Sequence, residues 1–303
     1  MKIAQISSVY LSIPPKTNGG TERVVFDLCQ HLTKRGHQVE LFASGDSMID
    51  CSLQSVLPVA SADDPQSTFY LEKEFEARNT YNLYRQAERF DLIHAHWPTL
   101  APYFSSFSKT PTVITYAYIE KELHEHYRAH FPRCFPVCIS RAQARMLGDE
   151  SLPVIYNGIE LEGITFNGQP ENYFIAVGRM TPGKGIAEAI RIAKRARARL
   201  LIVGQITFHL PWSEKYFLNE IQPHIGGRNS GLGLSAGLQP ELVKHGESGY
   251  LICTEDEMVD AIHRIESLDR RRCREWVQEN FSVERMVEGY ERLYCQIAGD
   301  CRF

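Results

Sequence analysis

Several features that mark other protein classes are missing from this chain, and each absence removes a reading. No stretch approaches the ~18 uninterrupted apolar residues of a membrane-spanning helix. The opening M-K-I-A-Q-I-S-S-V lacks the longer apolar core and cleavage site of a secretory leader, so none is expected. Positive charge is not in excess: 33 basic against 37 acidic side chains leave a formal charge of −4. That gives no general pull toward nucleic acid or an anionic membrane, although peripheral membrane contact stays open. Any phosphate must therefore be held by local cations. No G-x-G-x-x-G follows the first expected strand, which removes a nicotinamide dehydrogenase. No C-x-x-C pair occurs among Cys29, Cys51, Cys134, Cys138, Cys253, Cys273, Cys295 and Cys301. Buried free thiols are the expectation, and the usage suits a reducing cytoplasm. Internal repeats and low-complexity tracts are also missing.

What remains is an ordinary globular composition, 43% hydrophobic and 23% charged, in 303 residues, a length that leans toward two domains. Lys2 to Val9 reads as a strand and Tyr10 to Gly20 as a loop. A helix is expected from Thr21, its N-cap, with Val24, Val25, Leu28 and Leu32 on one face. Gly36 ends it, and Gln38 to Ala43 returns as a strand, forming a βαβ unit with Gly19 and Gly20 at the helix entrance. A polar, aromatic-rich helix over Tyr70–Glu88 and strands at Leu92–Ala95, Val113–Thr115 and Val137–Ile139 continue the series, and Asn157-Gly158 signals a turn. Leu161 to Asn172 behaves as a linker. A second series has strand Tyr173–Val177, helix Ile186–Ala196 and strand Leu200–Val203, then helices Glu257–Ser267, Arg270–Glu279 and Val283–Ala298. The alternation predicts an α/β chain of two doubly wound domains. Between residues 221 and 249 the chain is dense in glycine and offers little material for strands.

The segment I-A-V-G-R-M-T-P-G-K-G, Ile175 to Gly185, is the most informative one. An apolar strand end, a loop with Gly178, Gly183 and Gly185, and a helix start together point backbone N–H groups and a helix dipole at an anion. Arg179 and Lys184 in that loop suit a diphosphate. The alternative is two solvated loop cations. The run K-R-A-R-A-R, Lys194–Arg199, falls at a helix end, where cations suit the dipole. His126 and His130 lie one turn apart, but the H-E-x-x-H order of a metalloprotease is lacking, and a solvated helix is the preferred reading.

Seven blocks in order resemble the retaining glycosyltransferases of family 4. They are P-P-K-T-N-G-G-T-E (Pro14–Glu22), R-G-H-Q-V-E-L-F-A-S-G-D-S (Arg35–Ser47), F-D-L-I-H-A-H-W (Phe90–Trp97) and V-C-I-S-R-A-Q (Val137–Gln143). V-I-Y-N-G-I (Val154–Ile159), V-G-R-M-T-P-G-K-G (Val177–Gly185) and P-E-L-V-K-H-G-E-S-G-Y-L-I (Pro240–Ile252) complete them. The resemblance implies a GT-B fold of two Rossmann-like domains facing a cleft. It implies an acceptor-side domain over 1–160, a nucleotide-sugar domain over 161–280, and a C-terminal helix over 281–303 that braces the first domain. The implied activity moves a sugar from a nucleotide diphosphate donor, UDP- or GDP-linked, to a hydroxyl acceptor with retention of configuration. No cofactor and usually no divalent metal accompany it. Arg179 and Lys184 match the cations that meet the leaving diphosphate. Gly19 and Gly20 match the loop that approaches the donor phosphates. Gly178, Gly183 and Gly185 belong to the same donor-binding set. His96 and Trp97 would touch the acceptor or sugar, a better reading of His94-Ala95-His96 than a metal site with no third ligand. Glu22 would be a first-turn acid favoured by the helix dipole.

Two departures stand out. Tyr116 occupies the position where the family usually has a histidine near the sugar; either it donates a hydrogen bond there or the interaction is lost. The family's E-x-F-G-L-x-x-x-E stretch is replaced by G-L-G-L-S-A-G-L-Q, with Gly233-Leu234-Ser235 as its remnant and both carboxylates missing. On the order of fifty residues of the second domain would be deleted, which should leave unpaired edges and exposed apolar surface. A non-catalytic relative that binds a nucleotide sugar, glycan or partner without turnover is therefore the second reading.

Overall fold

The computed structural model describes residues 1–97, 99–204, 206, 211–224 and 239–299. The chain divides into two compact units, Met1–Ile164 with Gln278–Phe303, and Thr165–Val277. The first contains β1 (Lys2–Ile6), α1 (Gly20–Lys34), β2 (Gln38–Phe42), β3 (Ser52–Gln54), α2 (Phe69–Tyr84), β4 (Leu92–Ala95) and α3 (Ala101–Ser105). It continues with β5 (Thr112–Tyr116), α4 (Lys121–His130), β6 (Cys134–Cys138) and α5 (Arg141–Leu147). The second contains β7 (Phe174–Val177), α6 (Ile186–Arg195), β8 (Leu200–Val203), α7 (Pro211–Tyr216), α8 (Gln239–Leu242) and α9 (Glu255–Arg264). Helix α10 (Arg270–Phe281) carries the chain back, and α11 (Val283–Ala298) belongs to the first unit.

The six strands of the first unit form one parallel sheet in the order β3-β2-β1-β4-β5-β6. The order reverses between β1 and β4, the crevice position where open α/β sheets take ligands. Period-2 alternation fixes its two faces. Ile3, Leu41, Leu92, Val113 and Val137 face Leu28 and Leu32 of α1 and Met286, Val287 and Tyr290 of α11. Their neighbours Ala4, Phe42, Ile93 and Ile114 face Leu83, Tyr127 and Leu147 on the other side. Each such Leu or Ile contributes roughly 1.5–3 kcal/mol on full burial. Both faces being covered explains why these strands read as nearly continuous apolar runs.

Helix α1 buries the expected face, but it begins at Gly20, with Gly19 rather than Thr21 at the cap and no side chain capping it. A Cβ on Gly19 would lie 2.6 Å from Cβ of Pro15, so the loop closes against bare backbone there. Polar groups at the sheet centre are met by α11. The Tyr294 hydroxyl lies 2.6 Å from Nδ1 of His94 and accepts from Nε2 of Gln5 at 3.4 Å. Nε2 of His94 lies 2.7 Å from the Thr115 hydroxyl, itself 2.6 Å from the hydroxyl of Tyr290. His94, Tyr290 and Tyr294 have no exposed surface.

In the second unit β7 and β8 pair in parallel, and among the described residues they make up that sheet. Helix α6 buries Ile186, Ala187, Ile190 and Ala193 against one side of it. On the other side, among the described residues, Ile175 is 51%, Val177 73%, Leu201 37% and Val203 50% exposed. Arg191 and Arg195 of α6 pair with Glu255, and Arg195 also with Asp256, at the start of α9, which a Thr254–Glu257 capping box closes. These are surface pairs of small energetic weight. The Gly233-Leu234-Ser235 remnant lies outside the described residues.

Tyr294→Phe removes the hydroxyl that His94 and Gln5 share. Urea unfolding followed by circular dichroism should show a loss of about 1–3 kcal/mol, while Tyr70→Phe at an exposed site changes stability by less than ~0.5 kcal/mol.

Candidate functional site

A pocket of about 270 Å³ opens at the switch point of the six-stranded sheet. Ser8 and Tyr10 line it from the loop after β1, His96 and Trp97 from the end of β4, and Thr21 and Glu22 from the first turn of α1. Glu72, Lys73 and Glu76 of α2 close the remaining wall. The strand ends are held from α2. Glu76 accepts a hydrogen bond from the Ser8 hydroxyl at 2.5 Å and from the Val9 N–H at 3.0 Å. Nδ2 of Asn79 donates to the Phe42 carbonyl at 3.2 Å. Glu76 and Asn79 are buried, so the inner face of α2 is polar and shows no apolar period. That is why sequence reasoning passed over Glu76: its signal is a polar triplet, Glu76, Asn79 and Thr80, at helical spacing.

Burial raises the carboxyl pKa of Glu76 and of Glu22, whose side chain folds back over the start of α1. Glu22 is thus more than a solvated first-turn acid: it is a pocket wall that holds a proton more readily than a free carboxylate. His96 is 1% exposed, with Nε2 at 2.7 Å from Oε1 of Gln5 and Nδ1 buried without a partner among the described residues. Burial pushes its pKa down to about 3, and His94, 4.0 Å away ring to ring, is also held well below the usual range. Both imidazoles are neutral near pH 7. Trp97 is 46% exposed. Tyr116 is 1% exposed, its ring edge-on to His124 at 5.8 Å and its carbonyl accepting from Nε2 of Gln143 at 2.8 Å. A hydrogen bond from Tyr116 to a sugar therefore requires its surroundings to open.

The remaining expected residues lie in the second unit, on the loop after β7. The Gly178 N–H extends the ladder to the Val203 carbonyl at 3.0 Å, and a Cβ on Gly204 would strike the Gly178 carbonyl. The stem of Lys184 lies over Gly178. Pro182–Lys184 form one 3₁₀ turn, which Gly185 ends in the left-handed region at φ +66° and joins to α6. The Tyr216 hydroxyl accepts from the Ala187 N–H at 3.1 Å, so one free donor of the first turn is already met. Arg179 and Lys184 are exposed, and neither side chain has a hydrogen bond or ion pair among the described residues. Gly183 faces open space. The loop therefore brings Gly178, Arg179, Gly183, Lys184 and Gly185 together. Gly19 and Gly20 stand beside Thr21 and Glu22 of the other unit's pocket, with open space at Gly20.

Residues 18–162 match the family model described as Glycosyltransferase Family 4. No protein of curated function matches in sequence. Among solved structures, the sucrose-phosphate synthase of Thermosynechococcus elongatus is similar at TM-score 0.69 and 17% identity, over 98% of this chain and 99% of that one. The catalytic domain of starch synthase IV from Arabidopsis thaliana, bound to ADP and acarbose, gives 0.67 at 13% identity, over 99% of each chain. AviGT4, a glycosyltransferase involved in avilamycin A biosynthesis, gives 0.63 at 17% identity, over 99% of this chain and 98% of that one. The chain has the GT-B fold of these glycosyltransferase structures, and its residues 18–162 are similar to Glycosyltransferase Family 4. In this GT-B chain the matched segment holds the switch-point pocket, while Arg179 and Lys184 lie beyond it. Among the described residues no helix is long and apolar enough to cross a membrane.

His94 and His96 take up protons more readily unfolded than folded, so the stability they give above about pH 6.5 is lost as pH falls toward about 3. The raised carboxyls of Glu22 and Glu76 act in the opposite sense, because folding favours their neutral forms. His96→Gln should therefore lose less stability than the parent between about pH 7 and pH 4, by on the order of 2 kcal/mol in urea unfolding.

Proposed function

We propose that this GT-B chain transfers a sugar from a nucleoside diphosphate sugar to a hydroxyl acceptor, with retention of configuration. The observation that carries the reading is the loop at 178–185. Two exposed cations without partners among the described residues stand at the carboxyl end of a parallel strand, beside a left-handed glycine and a helix start. As the glycosidic bond breaks, negative charge grows on the leaving diphosphate, and stabilising it is the main electrostatic task. Arg179 supplies a planar fork for phosphate oxygens and Lys184 a compact charge, so protein cations meet that charge in place of a metal. The relatives' ligands support this direction: the starch synthase domain was solved with ADP, and an alpha-glucosyltransferase of similar fold with UDP.

The acceptor is assigned to the switch-point pocket. Its chemistry suits a polyhydroxylated ring: a half-exposed indole to stack on, the Glu22 carboxyl as hydrogen-bond partner, and neutral His96, whose Nδ1 has no partner among the described residues. The seven free cysteines among the described residues support a reducing, cytoplasmic setting.

A second reading is a relative that binds a nucleotide sugar without turnover. The missing E-x-F-G-L-x-x-x-E carboxylates favour it, and the face of β7 and β8 exposed among the described residues supports a shortened second domain. Titration calorimetry with UDP and GDP tests the shared premise. Arg179→Ala and Lys184→Ala should each cost about 1.5–3 kcal/mol, roughly ten- to hundred-fold in affinity. Unchanged affinity in both variants removes the donor assignment. Slow hydrolysis of a UDP- or GDP-sugar without acceptor would then select the enzyme, and retained binding with no hydrolysis across donors would select the binding relative.

A further inference from the structure

Outside both of these sites, three segments of the first unit converge on one point. His31 lies in the last turn of α1, Glu160 follows Asn157-Gly158, where the structure forms no turn, and Glu284 stands in the first turn of α11. One ligand atom from each lies within 4.8 Å of the others, and Nε2 of His31 is 3.1 Å from Oε2 of Glu160. One helical turn before His31, on the same face, is Asp27. It is 7% exposed, and its carboxyl makes no hydrogen bond or ion pair among the described residues. Its electrostatic neighbours are Arg23, Glu160 and His31. Arg23 lies over the Phe26 ring at 5.5 Å.

Helix dipoles account for parts of this arrangement singly: Glu284 suits a helix start and His31 a helix end. They do not account for the Glu160 and Glu284 carboxyls meeting one imidazole within 4.8 Å, with the buried Asp27 one turn earlier on α1. Like charges so placed repel, and desolvation adds to the cost. A divalent cation would answer both.

We infer that His31, Glu160 and Glu284 form a binding site for a divalent first-row transition ion, of which Zn²⁺ is the representative, with Asp27 adding negative charge nearby. One imidazole with carboxylate oxygens is a mixed N/O donor set. It fits Zn²⁺, Mn²⁺, Co²⁺ or Ni²⁺ better than the all-oxygen sites of Mg²⁺ and Ca²⁺ or the thiolate sites of Cu⁺. Bonds of about 2.1 Å place tetrahedral ligands about 3.4 Å apart, so the exposed Glu160 and Glu284 side chains need close by only about an ångström. The place in the chain gives the ion a purpose. Ile159 N–H donates to the Phe281 carbonyl at 3.0 Å and Val283 N–H to the Ile159 carbonyl at 3.1 Å, while a Cβ on Gly158 would lie 2.6 Å from Cα of Val283. Here the strand leaving the first unit touches the strand coming back. The ion would pin both to the end of α1, as a structural clip independent of the donor and acceptor assignments.

The test uses the full chain stripped with EDTA and titrated with Zn²⁺ by calorimetry, and with Co²⁺ by visible absorption. His126 and His130, exposed and 4.4 Å apart ring to ring on α4, are the competing surface pair, so H126Q/H130Q is the background. One equivalent should bind and raise the melting temperature. Loss of an outer partner alone costs roughly 10–100-fold in metal affinity, so His31→Gln and Glu160→Gln should each weaken binding at least that much. Glu160 is exposed and His31 half-buried, and both variants should fold as the background does, which the metal-free melting temperature checks. Absence of a stoichiometric site in the H126Q/H130Q background, or affinity unchanged by His31→Gln and Glu160→Gln, overturns the proposal.

Discussion

The first unit depends on a hydrogen-bond network that its last helix supplies. Gln5, His94 and Thr115 sit on β1, β4 and β5 in the middle of a sheet covered on both faces, where an unmet polar group costs about 1–3 kcal/mol. Tyr290 and Tyr294 of α11 meet them. The same contacts bury the apolar side of α11 beside α1. Polar specificity and apolar burial therefore act through one helix, and the helix has a single seat that satisfies both. Because His96 is tied to Gln5, the network also reaches the wall of the switch-point pocket.

The two halves carry different chemistry. The first offers neutral imidazoles, an indole and carboxyls inclined to keep their protons, an environment for hydroxyls rather than for phosphate. The second offers cations on a loop whose backbone is shaped by glycine at both ends. This division follows from the local strand ends. Both lie at carboxyl ends of parallel strands, where side chains and free N–H groups point outward together.

Much of the fold was legible because parallel strands buried on both faces leave apolar runs that stop at glycine or proline. The strands at Leu92 and Val113 follow from that pattern, and the helices after Gly20, Gly185 and Ser282 from their apolar faces, within a few residues. The cap of α1 was misread because Thr21 looks like a cap, whereas Pro15 packing against Gly19 decides where the helix starts. Short elements such as β3 and α5 carry too few residues for a period to show. The glycine and cation loop at 178–185 shows itself through composition. Glu76 and the cluster at His31 do not, since their partners come from segments far apart in sequence that only the folded chain brings together. Tyr116 stood at a position where the family places a histidine, but burial, which one sequence does not display, set its surroundings.

The return of α11 to the first unit has a consequence for the order of synthesis. The ribosome delivers Met1–Ile164 first, then all of Thr165–Val277, and only then the helix that closes the first core. Until that point one face of the six-stranded sheet lacks α11, and Gln5, His94 and Thr115 lack their tyrosine partners. Domains usually fold as they emerge, N-terminal first. Here residues made before Thr165–Val277 must wait for a helix made after it, so the nascent first unit needs protection in the interval.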